Sequence, residues 1–162
     1  MRTENIFDEV DNLKLRVEKE VLGNQELIKL IACNNDNPLS QPDIERPSKL
    51  VDEYIFFKPK VFDKTTTAIQ CFLLTDVIIT SIRNSIDFAD IKLIFRIIVH
   101  NNLFELYDGK TRAYQIAKRL NTAFDGEYGT WIGKCKFESC NPIEMPTSYQ
   151  GMQLVFNVTD FK

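Results

Sequence analysis

The sequence has few of the residues that mark several special classes of protein. Its 162 residues include only six glycines and six prolines, which excludes a collagen-like or low-complexity chain. Its formal net charge is −3, so bulk charge does not favour strong binding to DNA or to an anionic membrane. The most apolar stretch, residues 68–82, contains Gln70 and Asp76 and is therefore not a membrane span. The N-terminus lacks the apolar core of a signal peptide, so we expect a soluble protein that is made in the cytoplasm.

Residues for catalysis or metal binding are equally scarce. The single histidine, His100, ends an apolar segment, where a structural role is favoured over a catalytic one. A zinc site would need ligands from distant positions, and the chain contains no glycine-rich phosphate loop. We therefore expect no enzyme activity, no metal and no cofactor. The four cysteines are widely scattered and are expected to be reduced, mostly buried thiols: Cys33, Cys71, Cys135 and Cys140.

Helical periodicity marks three segments. The first begins near residue 6, and its acidic residues lie at its start, where the helix dipole favours negative charge. A short second helix follows, with Asn24 as its cap. The third lies between residues 111 and 124. The side chains expected to face the core are Ile6, Val10, Leu13 and Val17 in the first, Leu27, Ile28 and Ile31 in the second, and Ala113, Ile116, Ala117, Leu120 and Phe124 in the third.

Strand signals lie between the second and third helices. Residues 54–57 suit an edge strand, because Pro59 follows them. Residues 68–82 and 91–100 are rich in β-branched and aromatic side chains, and they predict a hairpin around the turn at 83–90. The second of these strands is apolar on both faces in its middle. This pattern predicts burial on both sides, either under helices or under a neighbouring subunit.

The last forty residues predict two more strands with alternating side chains. A linker at residues 141–146, which is too long for a tight hairpin, separates them. The side chains expected to face inward are Trp131, Cys135 and Phe137 in one strand, and Met152, Leu154, Phe156 and Val158 in the other. The order of elements predicts an α+β fold, with a mixed or antiparallel β-sheet packed by an N-terminal helix and a second amphipathic helix. The length suits a single domain of residues 1–162.

Residues 36–49 form a proline-rich loop or arm within this domain. Pro38, Pro42 and Pro47 each remove a backbone donor and favour extended geometry in the preceding residue. A mobile surface loop is the favoured interpretation. Contact with a partner is the alternative, because the segment is long for a passive connection.

By this order of elements, the chain resembles the tail terminator or tail-completion proteins of tailed bacteriophages. The segments that carry the resemblance are residues 6–21, 91–100, 110–124, 130–137 and 150–161. The resemblance implies a small subunit that forms a hexameric ring with its own copies, in the virion, after assembly in the host cytoplasm. Such a ring caps the tail tube and joins the tail to the head connector, and DNA passes through it without specific binding. Residues 36–49 and 54–57 have no counterpart in that family, and other neck or baseplate proteins also fit.

Charges of opposite sign lie on the first and third helices. Basic residues mark the third helix, and the aromatic residues near them, Tyr107, Tyr114 and Phe124, are expected on its apolar face. Our hypothesis is a contact between subunits, in which the basic helix meets the acidic helix of a neighbour. Two solvated helix faces that never meet, and a monomeric module that binds a peptide or nucleic acid with the basic helix 110–119, are the alternatives. The interface residues in this hypothesis are Lys110, Arg112, Lys118 and Arg119 on one side and Asp8, Glu9 and Asp11 on the other.

Overall fold

The computed structural model describes residues 6–60, 62, 68–82, 89–126 and 134–159. Three helices and five strands lie within these residues, which confirms the predicted α+β class. The helices are α1 (Ile6–Leu22), α2 (Gln25–Ala32) and α3 (Arg112–Phe124), and the strands are β1 (Ile55–Phe56), β2 (Cys71–Ile82), β3 (Ala89–His100), β4 (Lys134–Ile143) and β5 (Tyr149–Thr159). Short 3-10 turns lie at Pro38–Ser40, Pro47–Leu50 and Asn101–Leu103. No helix among these residues is long and apolar enough to cross a membrane.

The five strands form one mixed sheet in the order β1-β2-β3-β5-β4. Only the two-residue strand β1 runs parallel to its neighbour, and every other neighbouring pair is antiparallel. One face of the sheet packs against the helices, and β3 lies at its centre with Leu93, Phe95 and Ile97 fully buried. The two long antiparallel pairings of β3 therefore organise the sheet.

The apolar stripes of the three helices are confirmed. The five side chains along α1 that repeat every three or four residues are buried, and α3 buries its predicted stripe in the same way. The Asn24 side chain accepts a hydrogen bond from the Leu27 backbone N–H at 3.2 Å, so the predicted cap of α2 is also present. These helices are placed by packing against the sheet, because short amphipathic helices are marginal alone.

Burial of β3 on both sides is only partly confirmed. Its outer face is covered near its end, where Ile98 and His100 are buried. Phe62 packs edge-on against Phe72 and Tyr149 there, with ring centroids 5.6 and 5.0 Å apart. At the other end of the same face, the side chains of β3 are half-exposed: Lys92, Ile94 and Arg96. Two cross-strand ion pairs, between Arg96 and Asp76 and between Lys92 and Glu138, make this part of the face polar.

The last two strands belong to the core sheet and pair with each other, but Phe137 is less buried than predicted. Phe156 is fully buried at the centre of β5, whereas Phe137 is 42% exposed on β4. Phe137 is the register partner of Phe156 and lies on the same face of the sheet, but β4 is the edge strand and leaves the ring partly uncovered. A bulge shifts the register only after it, between Phe137 and Ser139. β4 also continues to Ile143, so the predicted linker at 141–146 starts later than the sequence indicated. Trp131 and the turn at 83–88 lie outside the described residues.

Residues 36–49 are packed against α2. The Gln25 side chain donates to the Ile44 carbonyl at 3.0 Å and accepts from the Ile44 N–H at 2.9 Å. Lys29 forms an ion pair with Asp43 at 2.7 Å, and Pro38 is buried. The predicted arm is therefore a connection held to the body of the domain by side chains of α2.

Candidate functional site

Arg112 lies inside the protein, so its predicted place on an exposed basic face is wrong. It is the first residue of α3, and its side chain is fully buried. The guanidinium donates to the carbonyls of Leu30 at 2.6 Å, Leu103 at 2.9 Å and Cys33 at 3.0 Å, and also to that of Asn35. Three of these carbonyls lie at or just beyond the C-terminal end of α2, where the helix dipole is negative. Burial lowers the pKa of the Arg112 guanidinium, and the four carbonyls replace the water that its charge has lost.

The other predicted basic residues differ in how much charge they present to solvent. The Arg119 side chain is mostly buried and bonds within its own chain, to Glu26 at 3.1 Å and Gln115 at 2.7 Å. Lys110 and Lys118 are exposed, and Lys110 has only a long contact, 3.8 Å, with Asp108. Two lysines therefore carry the accessible positive charge of this region. Their role in a subunit interface stays a prediction.

Two tyrosines extend this region, contrary to the expectation that they face the core. Tyr107 is 66% exposed and Tyr114 is 60% exposed, whereas Phe124 is buried as predicted. Helical spacing could have predicted the exposure of Tyr114, but not that of Tyr107, which lies in the turn before α3. Tyr114 lies one turn before Lys118, away from the stripe that contains Ile116. We define the tyrosine–lysine surface as Tyr107, Lys110, Tyr114 and Lys118.

The start of α1 presents a surface of the opposite sign. Asp8 and Asp11 are exposed, and Glu9 is half-buried. Phe7 and Leu15 are mostly exposed, and their spacing of four residues from Asp11 puts all three on one side of the helix. We define the acidic α1 surface as Phe7, Asp8, Asp11 and Leu15. Both surfaces thus combine charge with exposed apolar area.

The histidine and the cysteines are part of the packing. The His100 Nδ1 accepts from the Asn102 N–H at 3.1 Å, and its ring lies edge-on to Tyr149, as a structural histidine does. The four cysteines are free thiols, and burial raises the pKa of both Cys71 and Cys135 to about 12. Within the described ranges, no group of three or more His, Cys, Asp or Glu side chains could hold a metal ion.

A comparison with protein families identifies the family. A family model named YomW matches residues 24–158, which is most of the chain. The chain belongs to the YomW family. This family is phage-derived, of the type found in the Bacillus phage SPbeta, so the protein is phage-associated. The part matched to YomW begins at the cap of α2 and includes the whole described sheet except its last residue, while α1 lies outside it. Neither a curated protein nor a solved structure matches the chain.

Proposed function

We propose that this YomW protein is a structural subunit of the phage virion. It forms a ring with its own copies, acts as a tail terminator or neck protein, and joins the tail tube to the head connector without catalysis. One observation supports the proposal: a chain of a phage-derived family exposes two surfaces of opposite charge, one on α1 and the other on α3 and the turn before it, and each includes exposed apolar side chains. Six copies in the ring are what the likeness to tail terminators implies.

The two surfaces suit a head-to-tail contact. In such a contact, the tyrosine–lysine surface of one subunit meets the acidic α1 surface of the next, and the ring closes if the rotation between neighbours allows it. The exposed rings of Tyr107 and Tyr114 supply apolar area to bury against Phe7 and Leu15. The lysines and aspartates then determine the register and the rate of association more than the affinity.

The net charge of the subunit suits passage of DNA. Each copy adds a charge of −3, so a ring of such subunits is acidic overall. An acidic ring repels phosphate groups, and this repulsion suppresses binding of the DNA that passes through. In this arrangement, the two lysines of the tyrosine–lysine surface form contacts between subunits and are therefore not available to bind DNA.

The size of the assembled particle tests the proposal. Native mass spectrometry and negative-stain images of the full chain, alone and mixed with tail tubes, should show a closed ring. Lys110→Glu with Lys118→Glu should prevent assembly, and Asp8→Lys with Asp11→Lys in the same chain should partly restore it. A matched control is Lys49→Glu with Lys136→Glu, which changes two exposed lysines outside both surfaces and should leave the ring intact.

Two results would overturn the proposal. One is a particle that stays monomeric at every concentration and with tail tubes. The other is normal assembly of the Lys110→Glu, Lys118→Glu variant at low salt, where the Debye length is longest and the charge effect greatest. If the monomer instead bound a peptide or single-stranded DNA through these two lysines, the binding-module function would replace the ring.

A further inference from the structure

We propose that the free edge of β2 pairs with the same edge of a second copy, as two antiparallel strands across a two-fold axis. This contact is separate from the proposed ring and does not rest on it. β1 pairs only with Leu73 and Leu74, and no other strand in the described part of the chain pairs with this edge of β2. From Thr75 onward, β2 is therefore an edge strand.

Backbone groups of alternate residues point out from this edge. The Leu73 N–H donates to the Tyr54 carbonyl at 2.8 Å, so Leu73 faces β1. Backbone groups alternate in direction along a strand, so the N–H and C=O groups of Thr75, Val77 and Ile79 face the same way, beyond the end of β1. A second strand would give these groups hydrogen-bond partners.

The side chains of the edge also favour an added strand. Residues 75–79 contain no lysine, arginine or proline, the residues that usually protect an edge. Val77 and Ile79 are only partly buried against the core, and Ile78 is 42% exposed on the outer face. An added strand would cover all three. The regular stretch ends at Ile79, where the register of β2 with β3 shifts.

A second copy of β2 fits this edge in one register. With Val77 opposite Val77 of the other copy, Thr75 lies opposite Ile79, and these three hydrogen-bonded pairs exchange about six backbone bonds. Asp76 then lies opposite Ile78 of the other copy and not opposite another aspartate. Its charge is already paired with Arg96, so the contact brings no unpaired like charges face to face.

The other edge of the sheet is blocked at three points, which disfavours growth beyond a dimer. On β4, the Gly126 N–H donates to the Cys135 carbonyl and the Phe137 N–H donates to the Asp125 carboxylate, both at 2.8 Å. Further along the strand, Pro142 has no N–H to offer. With β4 blocked in this way, pairing at β2 gives a closed pair instead of a fibre.

Charge substitutions at Ile78 test both the contact and its register. The measurements use the Lys110→Glu, Lys118→Glu variant, in which the ring should not form, and analytical ultracentrifugation of this ring-deficient chain should show a dimer. Ile78→Glu places a carboxylate opposite Asp76 and should raise the dimer dissociation constant about tenfold or more, whereas Ile78→Lys faces the same Asp76 and should keep the dimer. Ile69→Glu is the matched control: Ile69 is 48% exposed and lies before β2, so this variant should remain dimeric. Circular dichroism confirms that each variant is folded.

Amide hydrogen exchange reports on the strand pairing itself and needs no substitution in β2. The amides of Thr75, Val77 and Ile79 should become protected only as the protein concentration rises, while those of Asp76 and Ile78, which face β3, should be protected at every concentration. A ring-deficient chain without a dimer, a dimer that Ile78→Glu leaves unchanged, loss of the dimer in Ile78→Lys, or no alternation in exchange would overturn the proposal. Because the ring is tested by variants on α1 and α3, either contact can fail while the other stands.

Discussion

The guanidinium of Arg112 joins the first turn of α3 to the end of α2. Its carbonyl partners Leu30 and Cys33 belong to the last turn of α2 and its cap, where backbone acceptors have no partner within the helix. Asn35 and Leu103 supply the other two acceptors, from loops that flank the two helices. One side chain therefore satisfies four buried carbonyls from separate parts of the chain.

Replacing Arg112 should be among the most destabilising single changes in the protein. Arg112→Met keeps much of the volume but leaves four carbonyls without a donor, and it should lower the free energy of unfolding by about 3–5 kcal/mol. Arg112→Lys should also destabilise the fold, because an ammonium cannot reproduce the planar set of donors. Urea unfolding measures both changes. Lys118→Met is the control and should stay within about 0.5 kcal/mol of the wild type, since Lys118 is exposed. Equal stability of the Arg112 and Lys118 variants would contradict this account.

The two final strands show how the place of a strand in the sheet changes the environment of a side chain. Phe137 and Phe156 are register partners on β4 and β5, and their rings lie edge-on with centroids 6.3 Å apart. Phe156 also packs near Phe95 and Phe124 in the core, whereas Phe137 lies at the edge of the sheet beside the bulge. Phenylalanine side chains on these neighbouring strands should therefore contribute differently to the stability of the fold.

Alanine substitutions at these two positions should distinguish a core position from an edge position by their effect on the free energy of unfolding. Phe156→Ala should lower the free energy of unfolding by about 3–5 kcal/mol, because it leaves a cavity in the centre of the core. Phe137→Ala should cost no more than about half as much, because a large part of its ring is already in water. Thermal unfolding followed by circular dichroism provides the comparison. If Phe156→Ala melted within a degree or two of the wild type, the inward position of Phe156 would be wrong.

Most of the elements could be predicted because their signals are local. The stripes of α1 and α3 and the alternation of β5 follow from repeats of 3.6 and 2 residues, which any window of the sequence contains. The bulge in β4 could not be predicted in this way, because it depends on which residues of β5 lie opposite. The packed course of residues 36–49 depends on Gln25 and Lys29, which are distant in the sequence.

The core of the whole molecule is continuous. One cluster of buried side chains extends from Ile6 in α1 through the sheet to Val158 in β5 and includes the faces of α2 and α3. A smaller cluster around Leu74, Ile98 and Tyr149 lies on the opposite face of the same sheet. Since both clusters share the strands of one sheet, the elements cannot separate without exposing apolar surface from their neighbours.

We expect the chain to unfold in a single cooperative transition, as a single domain of residues 1–162 should. Urea curves from far-ultraviolet and near-ultraviolet circular dichroism should coincide, because secondary structure and side-chain packing are lost together. Truncation of α1 would then weaken the entire fold, since α1 contributes to the same core. Two separated transitions would show that α1 or another part unfolds as an independent unit.

The sequence by itself determined the class of the fold, the faces of the helices and the signs of the charges on α1 and α3. These properties depend on residue type and on short-range spacing, so they can be seen without knowing which parts of the chain meet. The tertiary structure alone decided which charges remain available. Arg112 donates to backbone carbonyls between Leu30 and Asn35, and Arg119 donates to the Glu26 carboxylate, whereas Lys110 and Lys118 remain in solvent. A charged side chain can bind a partner only if it is not already paired with a group of its own chain. For these arginines, the pairing depends on contacts between residues about 80 to 90 positions apart.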